Sequence, residues 1–198
     1  MFFTQLALLS LSASAAYVGH FARNLGPPVA TLNAITAELK MIDFDLDPEN
    51  FNSASNTSVA FVIDGTFEAV NAVTLDASFQ IHACVSLNGV ASPEDAAFFI
   101  NLANTTYVPE LLSVLNKTII AKPIFFQDSL PELDLVENIL ADLNEYLDSS
   151  LLYLGNLTMA APNPGAQFSE ALDIEKVVLR AFDEAIDAYE CPGASTVC

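Results

Sequence analysis

Apolar residues recur at three- and four-residue spacing along most of this chain, and short polar, proline or glycine stretches separate the runs. Leu32, Ile35, Leu39, Ile42 and Leu46 share one side of a helix that opens at Pro27-Pro28 and ends before Pro48. A second helix runs from about Asn56 to Val85, with Val59, Ile63, Thr66, Val70, Val73, Ala77, Ile81 and Cys84 on its inner face. Ser92-Pro93-Glu94-Asp95 opens a third, with an N-cap hydroxyl, proline in the first turn and acids at the positive end of the dipole. That helix kinks or breaks at Pro109, continues through Leu111, Leu112, Leu115 and Ile119, and stops at Lys122-Pro123. The fourth starts at Pro131, carries a leucine stripe through Leu154 and ends at Gly155. A fifth places Phe168, Ala171, Leu172, Val178, Phe182, Ile186 and Tyr189 on one face. The pattern predicts an all-α fold, an antiparallel bundle of about five long helices.

Two features strain this pattern. Phe61, Ala72, Leu75 and Phe79 form a second apolar stripe on another face of the second helix. A central helix with neighbours on both sides is the first explanation. The other is an exposed patch that meets a hydrophobic surface or a lipid. Glu175 falls within the apolar stripe of the fifth helix, where a carboxylate at the bundle edge, reaching water, is the simpler expectation.

Composition sharpens the picture. The 198 residues are 53% hydrophobic, yet 25 acids face only 6 bases, for a net charge of -19. So much apolar material argues against disorder. Without clustered Lys and Arg, nucleic acids and anionic membrane surfaces are poor partners. Opposite helix faces reconcile the two numbers: leucines inward, acids outward.

Residues 1–16 hold a short apolar run followed by Ala13-Ser14-Ala15, as a secretory leader does, and depart from that pattern in having no Lys or Arg before the run. The expected organisation is this leader, a helical domain over 17–190 and a cysteine-containing tail over 191–198. No run is long enough to span a membrane. A secreted or cell-wall location makes Asn56, Asn104, Asn116 and Asn156 candidate glycosylation sites, with Asn56 and Asn156 favoured at element ends. In the same compartment Cys191 and Cys198 suit a terminal disulfide. Cys84 is expected to be a buried thiol.

Catalytic signatures are missing: there is no G-x-S-x-G, P-loop or G-x-G-x-x-G, and only two histidines, His20 and His82. The acidic run from Asp43 to Glu49 has Pro48 and Ala54 where an EF-hand needs Gly and Glu. No enzyme, cofactor or metal site is expected.

The stretches Val108-Pro109-Glu110-Leu111-Leu112 and Leu115-Asn116-Lys117-Thr118-Ile119-Ile120-Ala121-Lys122-Pro123, with the closing Ala181-Phe182-Asp183-Glu184-Ala185-Ile186-Asp187-Ala188-Tyr189, carry a resemblance. From about Leu32 to Glu190 the chain resembles the fungal hydrophobic surface binding protein A and cell-wall galactomannoprotein family. It is more acidic than that family, and its cysteine tail has no counterpart there. The resemblance implies a secreted, non-enzymatic protein that binds hydrophobic surfaces, or a fatty acid or other lipid between its helices. A secreted hydrolase that the protein recruits or inhibits is the alternative partner. Candidate lining residues for an acyl chain are Leu112, Leu115, Ile119, Leu140, Leu143, Leu147, Phe182 and Ile186, each also placed for ordinary core. Phe61, Leu75 and Phe79 are the candidates for surface contact.

Overall fold

The structure is a computed structural model and describes residues 26–47, 50, 56–128, 135–163 and 165–197. Residues 1–16, where a leader is expected, lie outside them. The elements are α1 (Gly26–Asp45), α2 (Asn56–Asn88), α3 (Pro93–Leu102), a π-helical turn (Ala103–Tyr107), α4 (Val108–Asp128), α5 (Leu135–Ala160) and α6 (Ala166–Glu190). Through the π turn, α3 and α4 form one rod, so five rods make an all-α bundle.

Local chemistry accounts for most boundaries. The α2 helix ends where Gly89 takes a φ of 80° and its N–H bonds the Val85 carbonyl. Ser92 caps α3 by accepting the Asp95 N–H at 3.1 Å. The expected disturbance at Pro109 is the π turn just before it. Proline has no N–H to give the preceding turn, and its ring would strike a carbonyl of a regular helix. One extra residue relieves both problems, and Val108 N–H reaches five residues back to Ala103. Thr105 and Thr106 hydroxyls take up the Asn101 and Leu102 carbonyls at 2.8 and 2.7 Å.

Two expected stops are not stops. The chain stays helical through Pro123 to Asp128, because Phe125 is buried and Lys122 is anchored beyond the helix. It also stays helical through Gly155 to Ala160. Leu154, Asn156, Leu157 and Ala160 are all buried there, and their packing outweighs the weak helix preference of one glycine.

Consecutive rods alternate in direction, which leaves every second one parallel. Asp64 meets Asp142, Asn71 meets Glu145 and Ser78 meets Asn156 in succession, so α2 and α5 run the same way. Lys40 meets Glu110 and Asp43 meets Ser113, so α1 and α4 do too. The α4 and α6 helices bring their C-terminal ends together at Lys122. The bundle is therefore two-layered: α2 and α5 in one layer, α1, α4 and α6 in the other. Around its perimeter the order is α1, α2, α5, α6, α4.

The inner stripe of α1 is buried throughout: Leu32, Ile35, Leu39 and Ile42 have no exposed area, and Leu46 has 2%. Ile63, Val70, Ala77 and Ile81 of α2 join the same core, with Leu111, Leu143, Val178 and Phe182. Within the second layer, between α1 and α4, Lys117 Nζ donates to the Asp43 carboxylate and carbonyl at 2.8 and 2.9 Å, close to the negative end of the α1 dipole. Burial opposes ionisation of Asp43, but Lys117 and Ser113 outweigh it and hold its carboxyl below the usual range.

Candidate functional site

The candidate acyl-lining residues do come together, as core. Leu115, Leu143 and Phe182 are sealed from solvent, while Leu112, Ile119, Leu140, Leu147 and Ile186 pack half-buried against them. The Tyr146 ring stands edge-on to Phe182 at 5.5 Å and is tilted against Phe67 at 6.4 Å. An acyl chain at these residues would have to displace packed side chains.

That interior also holds hydroxyls that the apolar pattern does not announce. Tyr107 OH donates to Ser150 Oγ at 3.3 Å, and the Tyr153 ring meets Tyr107 edge-on at 5.7 Å. The hydroxyls of Tyr146, Tyr153 and Thr74 are buried without a hydrogen-bond partner. Burial pushes all three phenols up from their ordinary range, so they stay neutral. The sequence signal was the seven-residue spacing of Tyr146 and Tyr153 beside Ser149 and Ser150, one polar-tipped strip on α5.

Outside, the second stripe of α2 faces solvent. Leu75 is 37% exposed and Phe79 59%, and Ala72 is exposed beside them. The helix is indeed central, packing on α1 and α5, but through Phe67, Thr74 and Ser78. The central-burial explanation of Leu75 and Phe79 is thus overturned: residues between the two stripes make the second set of contacts. The side chain of Phe61 lies outside the described residues. Two partners escaped the sequence reading, Leu152 at 42% and Met159 at 50% exposure on α5. They sit one turn either side of Asn156, which packs on Ser78, while Leu75 and Phe79 flank Ser78. Leu75 and Leu152, each about a turn from the Ser78–Asn156 contact, border the outer seam between α2 and α5, and Phe79 and Met159 are exposed on the same two helices. The clue was that Leu152 and Met159 fall opposite the inward leucines of their own helix.

The same seam is acidic toward its other end. Asp142 is pushed up to about 8, first by burial and then by the neighbouring carboxyls of Asp64, Glu68 and Glu145. A carboxyl shared with Asp64 in this way keeps its proton at neutral pH. Neither α2 nor α5 contains Lys or Arg, whereas they carry seven acids: Asp64, Glu68, Asp76, Glu137, Asp142, Glu145 and Asp148. The described bases Lys40, Lys117, Lys122, Lys176 and Arg180 all belong to the other layer.

The remaining candidates separate cleanly. Asn104 and Asn116 are exposed, and the side chain of Asn56 lies outside the described residues. Asn156 is a correction: only 3% exposed, its Nδ2 donates to Ser78 O at 3.0 Å and Ser78 Oγ at 2.7 Å. A glycan on that nitrogen is incompatible with the α2–α5 contact. Cys191 is disulfide-bonded, and Cys198 lies outside the described residues. Cys84 is outside any disulfide, only half-buried, with its thiol pushed up by burial. Glu175 is half-exposed at the bundle edge, as expected.

Lys122 was not singled out by sequence. It has no exposed area, and its ammonium donates to the carbonyls of Ala188, Cys191 and Ser195 at 2.7, 2.7 and 2.6 Å. Tyr189 lies under it at 5.9 Å. Burial lowers its pKa. The residue fastens the tail and the end of α6 to α4, a structural task.

A shallow pocket of about 260 Å3 lies on α1 among Lys40, Met41, Phe44 and Asp45. Among the described residues, no group of three or more His, Cys, Asp or Glu could hold a metal ion, and no helix is long and apolar enough to cross a membrane. No family model, curated protein or solved structure matches the chain.

Proposed function

We propose that this protein is a secreted, non-enzymatic binder of hydrophobic surfaces that makes contact through side chains its bundle leaves outside. The observation that carries the reading is the seam of Leu75, Phe79, Leu152 and Met159, exposed on a layer whose inner face is fully packed. Thirteen large hydrophobic side chains are exposed among the described residues; Met41 and Phe44 pair at the α1 pocket, and Leu75, Phe79, Leu152 and Met159 lie on α2 and α5. Scattered ones need no explanation, whereas a run along one seam does. Each square ångström of apolar area removed from water contributes about 25 cal/mol, so a few such side chains suffice for adsorption. The leader pattern of residues 1–16 and the family resemblance of 108–123 and 181–189 support secretion and this class of activity.

An internal acyl site is the weaker form of the idea, because Leu115, Leu143 and Phe182 are spent on the core. Depletion of the protein from solution by alkyl-coated beads, against hydroxyl-coated ones, tests the reading. Uptake by the alkyl beads alone is expected, reduced severalfold by Leu75→Gln/Phe79→Gln. Equal uptake by both bead types, or no effect of the double variant, would overturn it. Displacement of a fluorescent fatty acid without any bead uptake would favour the internal site instead.

A further inference from the structure

The apolar seam does not lie on a neutral surface. Its layer is wholly acidic, with seven carboxyl side chains and no Lys or Arg over two long helices. The other layer carries every described base, and four of those bases already have acids opposite: Lys40 on Glu110, Lys117 on Asp43, Lys176 on Asp173 and Arg180 on Glu184. On the α2–α5 face four of the seven acids meet one another instead, while Asp76 accepts from Gln80. Asp64, Glu68, Asp142 and Glu145 crowd one end of the seam, where Asn71 supplies Glu145 with a neutral partner at 3.4 Å. From there the seam passes to Leu75, Leu152, Phe79 and Met159 along the shared helix direction.

A face of this kind disfavours two acidic occupants. A second copy would set one acidic layer against another, a repulsive arrangement. An anionic membrane would be repelled in the same way. A plain alkyl surface would satisfy the leucine and phenylalanine but gain nothing from the carboxylates. The occupant that uses both features carries positive charge and apolar side chains on one strip. From this complementarity we infer that the α2–α5 seam is a docking groove for a basic amphipathic helical segment of another protein. Its apolar side chains lie on Leu75, Phe79, Leu152 and Met159, and its Lys or Arg side chains reach Glu68, Glu145 and Asp148. An amphipathic helix lying in a groove is an established mode of peptide recognition. The inference rests on the proposed role of Leu75 and Phe79 and adds the chemistry of the partner.

The test uses the full chain and a short fluorescent peptide of leucine and lysine in amphipathic helical order. Companion peptides replace every lysine with glutamine or with glutamate. The lysine peptide should bind at least about tenfold tighter than the glutamine peptide at low salt, and most of that difference should vanish at high salt, as screening requires. The glutamate peptide should not bind. Glu68→Gln/Glu145→Gln/Asp148→Asn should weaken binding about tenfold. Asp183→Asn/Asp187→Asn/Glu190→Gln, three equally exposed acids on α6, should change it less than about twofold. All six positions are exposed, so unchanged helical circular dichroism checks the fold. Equal losses from the two triple variants would reduce the effect to net charge and overturn the inference. Equal binding of lysine and glutamine peptides would overturn it too, while leaving adsorption through Leu75 and Phe79 intact. A dimer of the chain alone that dissociates on Leu75→Gln/Phe79→Gln would give the face to a second copy and also overturn it. Failure of every peptide together with failure of bead uptake would sink both readings.

Discussion

Tyr146 and Tyr153 show what this interior tolerates. Each buries a large ring in good edge-on contacts and leaves its hydroxyl without a partner. An unpaired buried hydroxyl costs free energy that the ring does not need to spend. Tyr146→Phe or Tyr153→Phe should therefore leave stability unchanged or raise it by up to about 1 kcal/mol in urea denaturation. Tyr107 is the control, because its hydroxyl bonds Ser150. Tyr107→Phe should cost about 1 kcal/mol instead. A loss of that size at Tyr146 or Tyr153 would mean that their hydroxyls are satisfied in solution, by bound water. The same scale explains why Asn156 misled the sequence reading. A sequon is a local pattern, whereas burial of Asn156 depends on Ser78, which is far away in the chain.

At the scale of elements, long-range anchors decide where helices end and how they pair. Lys122 is the firmest. Three main-chain carbonyls depend on its ammonium, and all lie at or beyond the end of α6. Lys122→Met should cost roughly 3 kcal/mol, since bonds to charged donors are the stronger ones and three acceptors are left bare. Limited proteolysis should then cut after Cys191 faster than in the parent chain. An unchanged tail would show that the disulfide at Cys191 alone holds it. The α2–α5 seam has its own signature, a pH dependence set by Asp142. Its folded pKa, about 8, lies above the ordinary value of 3.8. The native state thus keeps a proton that the unfolded chain has released, and stability falls as pH rises between these values. Burial of Asp45 acts in the same direction. The lowered pKa of Asp43 works oppositely, through stability lost only as pH drops below the usual carboxylate range. Asp142→Asn should therefore raise the melting temperature at pH 8 and much less at pH 5. An equal gain at both would contradict the crowding of carboxyls described. Periodicity located the helices and all of the α1 core, because those depend on neighbours three and four residues away. It missed the continuation past Pro123 and Gly155, where Phe125, Lys122 and Asn156 pack against residues remote in sequence. It also gave Leu75 and Phe79 as a stripe without saying which side of the molecule they face. That depends on the parallel pairing of α2 with α5, which no local pattern encodes.

For the whole molecule, the acids behind the charge of -19 are spread over both layers, whereas the bases are not. Every described base lies in the α1, α4 and α6 layer, and the exposed apolar seam lies in the other. The protein thus has a layer in which acids meet bases and a layer in which carboxylates border apolar side chains. Acidity keeps such a chain dispersed despite its exposed hydrophobic groups. In the proposed function the folded bundle meets hydrophobic surfaces through the α2–α5 seam. Amide hydrogen exchange on protein adsorbed to alkyl-coated beads, compared with protein in solution, tests this most directly. Added protection confined to residues around 72–83 of α2 and 152–159 of α5, with the rest of the bundle unchanged, is the predicted result. Protection centred on α1 or α6, or a general loss of protection as the bundle opens on the bead, would contradict it.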